Sequence, residues 1–288
     1  VLYSINFKFN VKINAYREQN KRNMIKDVQN QKDLRNIPIQ KVGVKDVEIP
    51  LKIERKSQHD KPELEIVYAR AKMSVSLPCE FKGTHMSRFI EILNEHQEES
   101  LLSTDIERVL FKMKNKLDAK SAYLKFDFKY FIKKQAPSSK LESLMCYDCA
   151  FEGEIDEDCN FKFYLITKVP ITTLCPCSKE ISQYGAHNQR ALLKIKISYD
   201  NDKHIWLEDL ISMAESCASS EIYPLLKRED EKYVTEHAYE NPKFVEDVIR
   251  DIVTKLNENE IINFYEVEME AFESIHSHNA WAYQKCYK

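Results

Sequence analysis

The chain lacks any apolar run approaching the roughly 18 to 20 residues that span a bilayer, which excludes a membrane-spanning helix and predicts a soluble protein with no membrane partner. It also lacks a broad positive field. The formal net charge is -3 with 31% charged residues, so net charge gives no reason to expect nucleic acid as a partner. Cysteine is sparse and irregularly spaced, eight in 288 residues, which excludes a disulfide-dense scaffold and fits reduced thiols in a cytoplasmic setting. Glycine is scarcer still. Only four occur, so each is expected where the backbone needs freedom, Gly83 and Gly185 foremost. The first 23 residues, Val1 to Asn23, have no initiator Met and no clean apolar stretch with a small-residue cleavage site, which argues against a secretory signal. They read as a non-native or disordered extension ahead of Met24.

What is present follows one order of patterns twice. In the first half, strand-like runs at Val42 to Ile53 and Leu64 to Leu77 precede two helical patterns, Met86, Phe89, Ile90, Leu93 and then Leu102, Ile106, Val109, Leu110, Met113. Strand-like Tyr123 to Ile132 and Leu144 to Ile155 follow, with Lys133 to Leu141 a loop by composition. In the second half, strands at Phe161 to Val169 and Ala191 to Tyr199 precede helices near Trp206 to Ala214 and Lys243 to Leu256, and Ile261 to Ala271 and His278 to Tyr287 close as strands. Antiparallel strands must cover one face of their sheet, and two amphipathic helices per half suffice. The expected class is α+β, in two modules, residues 24–158 and 159–288, with the boundary near Glu157 to Phe161.

The strongest chemical signal is Cys175 followed twelve positions later by His187, just after Gly185. A thiolate and a neutral imidazole are both good ligands for a borderline divalent ion, and a catalytic site needs about three protein ligands, leaving one position for water. Taken alone, the pair fits a buried free cysteine beside a structural histidine equally well. Cys177 is too close to Cys175 to share one tetrahedral ion and reads as a packing residue. His276 and His278 stand two apart, so a strand through them would turn both rings to one face, toward an ion or substrate or along a solvated edge. Glu246 falls on the flank of the apolar stripe formed by Val245, Val248, Ile249, Ile252, Val253 and Leu256. Asn241 and Pro242 suit an N-cap and first turn, which places Glu246 near the positive end of the helix dipole. Cys146-Tyr-Asp-Cys149 has the spacing of a metal or redox pair, but no second such motif accompanies it, and it reads as structural.

The whole segment Leu174-Cys-Pro-Cys-Ser-Lys-Glu-Ile-Ser-Gln-Tyr-Gly-Ala-His-Asn-Gln-Arg190 closely resembles the signature of GTP cyclohydrolase type IB. Phe81-Lys-Gly-Thr-His-Met-Ser-Arg-Phe89, Pro224-Leu-Leu-Lys-Arg228, Asp230-Glu-Lys-Tyr-Val-Thr-Glu236, Tyr239-Glu-Asn-Pro-Lys-Phe-Val-Glu-Asp247 and Glu273-Ser-Ile-His-Ser-His278 resemble the same family in the same order. The resemblance runs from about Asp27 to the end of the chain. It implies the tunnelling fold, tandem modules of antiparallel sheet each covered by two helices, and a homotetramer with active sites at subunit interfaces. It implies a divalent ion, Zn2+, Mn2+ or Fe2+, in a shell of Cys175, His187, Glu231 and His276, with Glu273 serving as general acid or base and His278 serving proton transfer or phosphate contact. Glu246 resembles the glutamate that anchors a purine or pterin, and Lys179, Arg190, Lys227 and Arg228 are candidates for the triphosphate, joined by His85 and Arg88 across an interface. The activity implied is conversion of GTP to 7,8-dihydroneopterin triphosphate and formate. An archaeal-type relative making the cyclic phosphate, or a non-catalytic pterin- or nucleotide-binding protein, are the alternatives. Glu229 stands where proline is usual in the family and Trp281 where tyrosine is common; neither replaces a proposed ligand.

Overall fold

Alternation of apolar and polar residues sets the strands. In β2 (Glu63–Leu77), Val67, Ala69, Ala71, Met73 and Val75 point one way and are buried, while Tyr68, Arg70 and Lys72 between them are exposed. The computed structural model describes residue 29 and residues 31–57, 62–96, 103–200 and 203–288; the expected N-terminal extension at residues 1–23 lies outside them. The strands are β1 (Ile39–Arg55), β2, β3 (Ala122–Gln135), β4 (Glu142–Ile155), β5 (Phe161–Leu174), β6 (Asn188–Tyr199), β7 (Ser220–Glu221), β8 (Ile262–Ala271) and β9 (Ala280–Tyr287). They form one antiparallel sheet in the order β1-β2-β3-β4-β5-β6-β8-β9, with β7 paired to β5.

Four helices cover one face through apolar stripes at helical spacing. They are α1 (Met86–Glu95), which buries Phe89, Ile92 and Leu93, and α2 (Ser103–Lys116), which buries Ile106, Val109, Leu110 and Met113. In the second half, α4 (Leu207–Glu215) buries Leu207, Leu210, Ile211 and Ala214, and α6 (Val245–Glu258) buries Val248, Ile249, Ile252 and Leu256. The α+β class and the four striped helices are as expected. The expected module boundary coincides with a tight hairpin in which the Asn160 N–H donates to Asp156 Oδ1 at 2.9 Å, and β4 and β5 pair across it from Asp148 with Lys168 to Ile155 with Phe161. The two halves therefore share one continuous sheet and one hydrophobic core.

Two further helices carry no apolar stripe, α3 (Pro176–Ile181) and α5 (Arg228–Glu240). Asn241 and Pro242 were expected to start a helix; Asn241 instead ends α5, its Nδ2 donating to the Ala218 carbonyl at 2.8 Å, and α6 begins at Val245. His276 and His278 lie in the turn before β9, which starts only at Ala280. The loop expected from Lys133 begins after Gln135, because β3 stays paired with β4 through Gln135 and Glu142. Among the described residues no helix is long and apolar enough to cross a membrane.

Candidate functional site

The ends of β5 and β6 close the Cys175 segment into a loop. The Cys175 N–H donates to the His187 carbonyl at 3.1 Å, and Pro176 starts α3 at a position where its missing N–H costs nothing. Cys175 is the N-cap, its Sγ accepting from the Ser178 N–H at 3.4 Å. Ser178 Oγ donates to the Cys175 carbonyl at 3.1 Å and accepts from the His187 N–H at 3.2 Å, so one hydroxyl ties the two residues together. Gly185 makes the return turn at φ +121°, a conformation other residues avoid. Cys175 is half-buried in this loop. Cys177, expected to pack, is exposed, because the six-residue helix that carries it buries no residue.

Strand register builds the rest. Thr173 on β5 pairs with Gln189 on β6, and β6 pairs Ala191 with Ala271 on β8, so two residues further on Gln189 faces Glu273. Thr173 on β5, Gln189 on β6 and Glu273 in the segment leaving β8 form a row just beyond the core layer of Ile171, Ala191 and Ala271. Gln189 Nε2 donates to Thr173 Oγ1 at 3.2 Å and to Glu273 Oε1 at 3.3 Å, and Gln189 Oε1 lies 3.0 Å from His187 Nδ1. Glu273 Oε2 is buried with no hydrogen-bond partner and lies 3.9 Å from His187 Nδ1. The His187 and Glu273 side chains are only 15% and 12% exposed. Ser274 Oγ stands 3.5 Å from the same Nδ1.

A thiol, an imidazole and a carboxylate with an orphaned oxygen are donor types that suit a borderline divalent ion. Among the described residues, however, no three His, Cys, Asp or Glu side chains form a group that could hold one. The structure brings Cys175, His187 and Glu273 to one rim. Glu246 is near it: the Lys243 N–H donates to the Leu174 carbonyl at 3.1 Å, and Glu246 is exposed in the first turn of α6. Lys179 also lies on this side, its Nζ donating to the Tyr239 carbonyl at 2.6 Å at the end of α5. Arg190 is exposed on β6; Lys227, Arg228 and Glu231 are exposed at the start of α5. His276 and His278 are exposed with rings stacked 5.2 Å apart. Arg88 is turned to the first half, donating to the Lys116 carbonyl at the end of α2, and His85 is the N-cap residue of α1. Cys146 and Cys149 face opposite sides of β4, one exposed and one buried, and burial pushes the Cys149 thiol well above its usual range. They cannot act as a pair.

Thr173, Ser178, Gln189 and Ser274 were given no role by sequence reasoning. Ser178 and Gln189 stood inside the Cys175 motif; Thr173 and Ser274 become neighbours of the site only through strand pairing.

The sequence profile of type I GTP cyclohydrolase folE2 matches residues 25–282. GTP cyclohydrolase FolE2 of Geotalea uraniireducens (strain Rf4) is 52% identical over 256 residues, 89% of this chain and 91% of that protein. The FolE2 of Geobacter sp. (strain M21) is 50% identical over 266 residues, 92% of this chain and 96% of that one. Among solved structures, urate oxidase from Bacillus sp. TB-90 superposes with a TM-score of 0.54 at 11% identity, covering 87% of this chain and 100% of its own. Uricase from Arthrobacter globiformis gives 0.51 at 6% identity, covering 86% and 93%. These likenesses concern the fold alone, and that fold is the tunnelling fold.

Proposed function

Because the chain belongs to the type I GTP cyclohydrolase FolE2 family, we propose that it is a metal-dependent GTP cyclohydrolase of the type IB kind, converting GTP and water to 7,8-dihydroneopterin triphosphate and formate at the entry to folate biosynthesis. The observation that carries the reading is the rim where Cys175, His187 and the half-bonded Glu273 carboxylate gather beside the first turn of α6.

A divalent ion, Zn2+, Mn2+ or Fe2+, in a shell drawn from Cys175, His187, Glu231 and His276 would supply a water acidic enough to attack C8 of the purine. Glu246 accepts hydrogen bonds from the N1–H and 2-amino group of guanine and so orients C8 toward the rim. Glu273, one oxygen fixed by Gln189 and the other unpartnered, takes and returns protons as the imidazole ring opens and formate leaves. His278 shares that work from the β8–β9 turn. Lys179, Arg190, Lys227 and Arg228 meet the triphosphate. His85 and Arg88 join from another copy in a homotetramer.

The deciding assay incubates the protein with GTP, with and without chelator, and follows formate and pterin fluorescence after oxidation. Product mass should be that of the triphosphate. Cys175→Ala should lower turnover by more than the about 10- to 100-fold that loss of an outer-shell partner costs. No pterin and no formate with any divalent metal would defeat the proposal.

A further inference from the structure

Gln189 is placed so that its amide can be oriented in only one sense. Glu273 Oε1, 3.3 Å away, is a carboxylate oxygen and can only accept, so the Gln189 face turned to it must be the NH2 group. The same NH2 reaches Thr173 Oγ1 at 3.2 Å, a hydroxyl inside the core with 1% exposure. With both amide protons committed, Gln189 Oε1 is left facing His187 Nδ1 at 3.0 Å, and a carbonyl oxygen can only accept. The proton between them therefore belongs to Nδ1. Glu273 Oε2 at 3.9 Å favours the same placement, since its negative charge sits on the Nδ1 side of the ring. Ser274 Oγ, at 3.5 Å, is the weaker neighbour and can accept from the same N–H.

We propose that Gln189 is a positioning residue for His187: it holds the neutral imidazole with its proton on Nδ1 and its ring plane fixed, leaving the Nε2 lone pair as the donor to the ion. The inference rests on the metal-dependent reading of the site. Its physical basis is general: a ligating imidazole commits its second nitrogen to a hydrogen bond, which selects the tautomer and orients the ring. Here that bond is anchored to Thr173 on β5 and to Glu273 two residues past the end of β8, so the tautomer is set by sheet register.

The test uses the full chain, metal-free, with 15N-labelled histidine. Two-bond proton–nitrogen correlations report which ring nitrogen of His187 carries the proton, the signal being assigned by its loss in His187→Ala. Wild type should show the Nδ1–H tautomer. Gln189→Ala should shift His187 toward the Nε2–H form and weaken Zn2+ binding, read by competition with a chromophoric chelator, by about 10- to 100-fold. Gln189→Leu fills most of the same space with no acceptor for the Nδ1–H, so it should lose the tautomer and the affinity as Gln189→Ala does. A merely space-filling role for Gln189 would let the Leu variant keep the wild-type tautomer and Zn2+ affinity, and that result would overturn the proposal. So would a wild-type proton on Nε2, or a Gln189→Ala protein unchanged in tautomer and Zn2+ affinity. Absence of GTP turnover would sink the proposed activity and leave the metal-free tautomer to be read independently.

Discussion

Asp230 shows how a single carboxylate can be buried in this chain and still belong to the scaffold. Its Oδ1 accepts from the Ser138 and Ser139 N–H groups, both at 2.8 Å, and its Oδ2 from Ser139 Oγ at 2.6 Å and the Lys227 N–H at 2.8 Å. It therefore fastens the β3–β4 turn to the start of α5. Burial opposes its ionisation, but the hydrogen bonds from Ser139, Lys227 and Ser138 outweigh it and hold the carboxyl well below its ordinary range. A carboxyl depressed on folding contributes stability above its unfolded value, near 3.8 here, and loses that contribution as the pH falls through and below it. Asp230→Ala should lower the thermal midpoint by several degrees at neutral pH, and the gap from wild type should shrink toward about pH 3. Melts across a pH series check this; a gap independent of pH would refute it. The neighbouring Glu231, singled out by family resemblance, is exposed one position along the same helix, free to turn toward a substrate or ion.

At the level of elements, a second polar cluster joins the halves of the chain. Lys134 near the end of β3 is buried, its Nζ 2.8 Å from Glu215 Oε1 at the end of α4, 2.8 Å from Glu221 Oε2 on β7 and 3.0 Å from the Ile222 carbonyl. Tyr147 on β4 donates to the same Glu215 oxygen at 2.7 Å. Burial raises the Glu215 carboxyl, and Lys134 and Tyr147 oppose that rise. Removing one partner strands the other, so Lys134→Met should destabilise by about 3–5 kcal/mol. Glu215→Leu should cost less, since Lys134 keeps Glu221, and the double variant should recover part of the loss, the buried Tyr147 hydroxyl being left without its acceptor. Denaturant unfolding of the four proteins gives the coupling.

The same elements show what could be read from the chain and what could not. Helices α1, α2, α4 and α6 announce themselves by apolar stripes, and the long strands by alternation. The segment Arg-Glu-Asp-Glu-Lys-Tyr-Val-Thr-Glu-His-Ala-Tyr-Glu of α5 buries only Asp230 and Ala238, so no stripe marks it. Its start is fixed by a contact from a turn about 90 residues earlier in the chain. Cys175, His187 and Gly185 were legible as a motif because their chemistry is local. The contacts of Gln189 were hidden, because they depend on which residues β5 and the segment leaving β8 set beside it, and periodicity alone does not specify register.

On the scale of the whole molecule, sheet order bears on where the proposed substrate contacts come from. His85 begins α1, which packs against α2 and β1, whereas Cys175 leaves the end of β5. In the order β1-β2-β3-β4-β5 these strands are four steps apart, about 19 Å at the usual strand spacing. That separation supports the proposal that a GTP at the Cys175 rim meets His85 of another copy. The sheet ends in two edges, β1 and β9, along which copies can extend one another. If the sites are shared in this way, Cys175→Ala and His85→Ala proteins, each inactive alone, should complement when co-expressed. A shared site is intact when its Cys175 comes from a His85→Ala copy and its His85 from a Cys175→Ala copy, so random mixing at equal dose should restore about a quarter of wild-type activity. Native mass spectrometry of the mixture should show four-copy assemblies containing both variants. Mixed assemblies that regain nothing would mean that His85 takes no part in a site with the partner's Cys175, and the interface assignment of His85 and Arg88 would fall while the rim at Cys175, His187 and Glu273 stood.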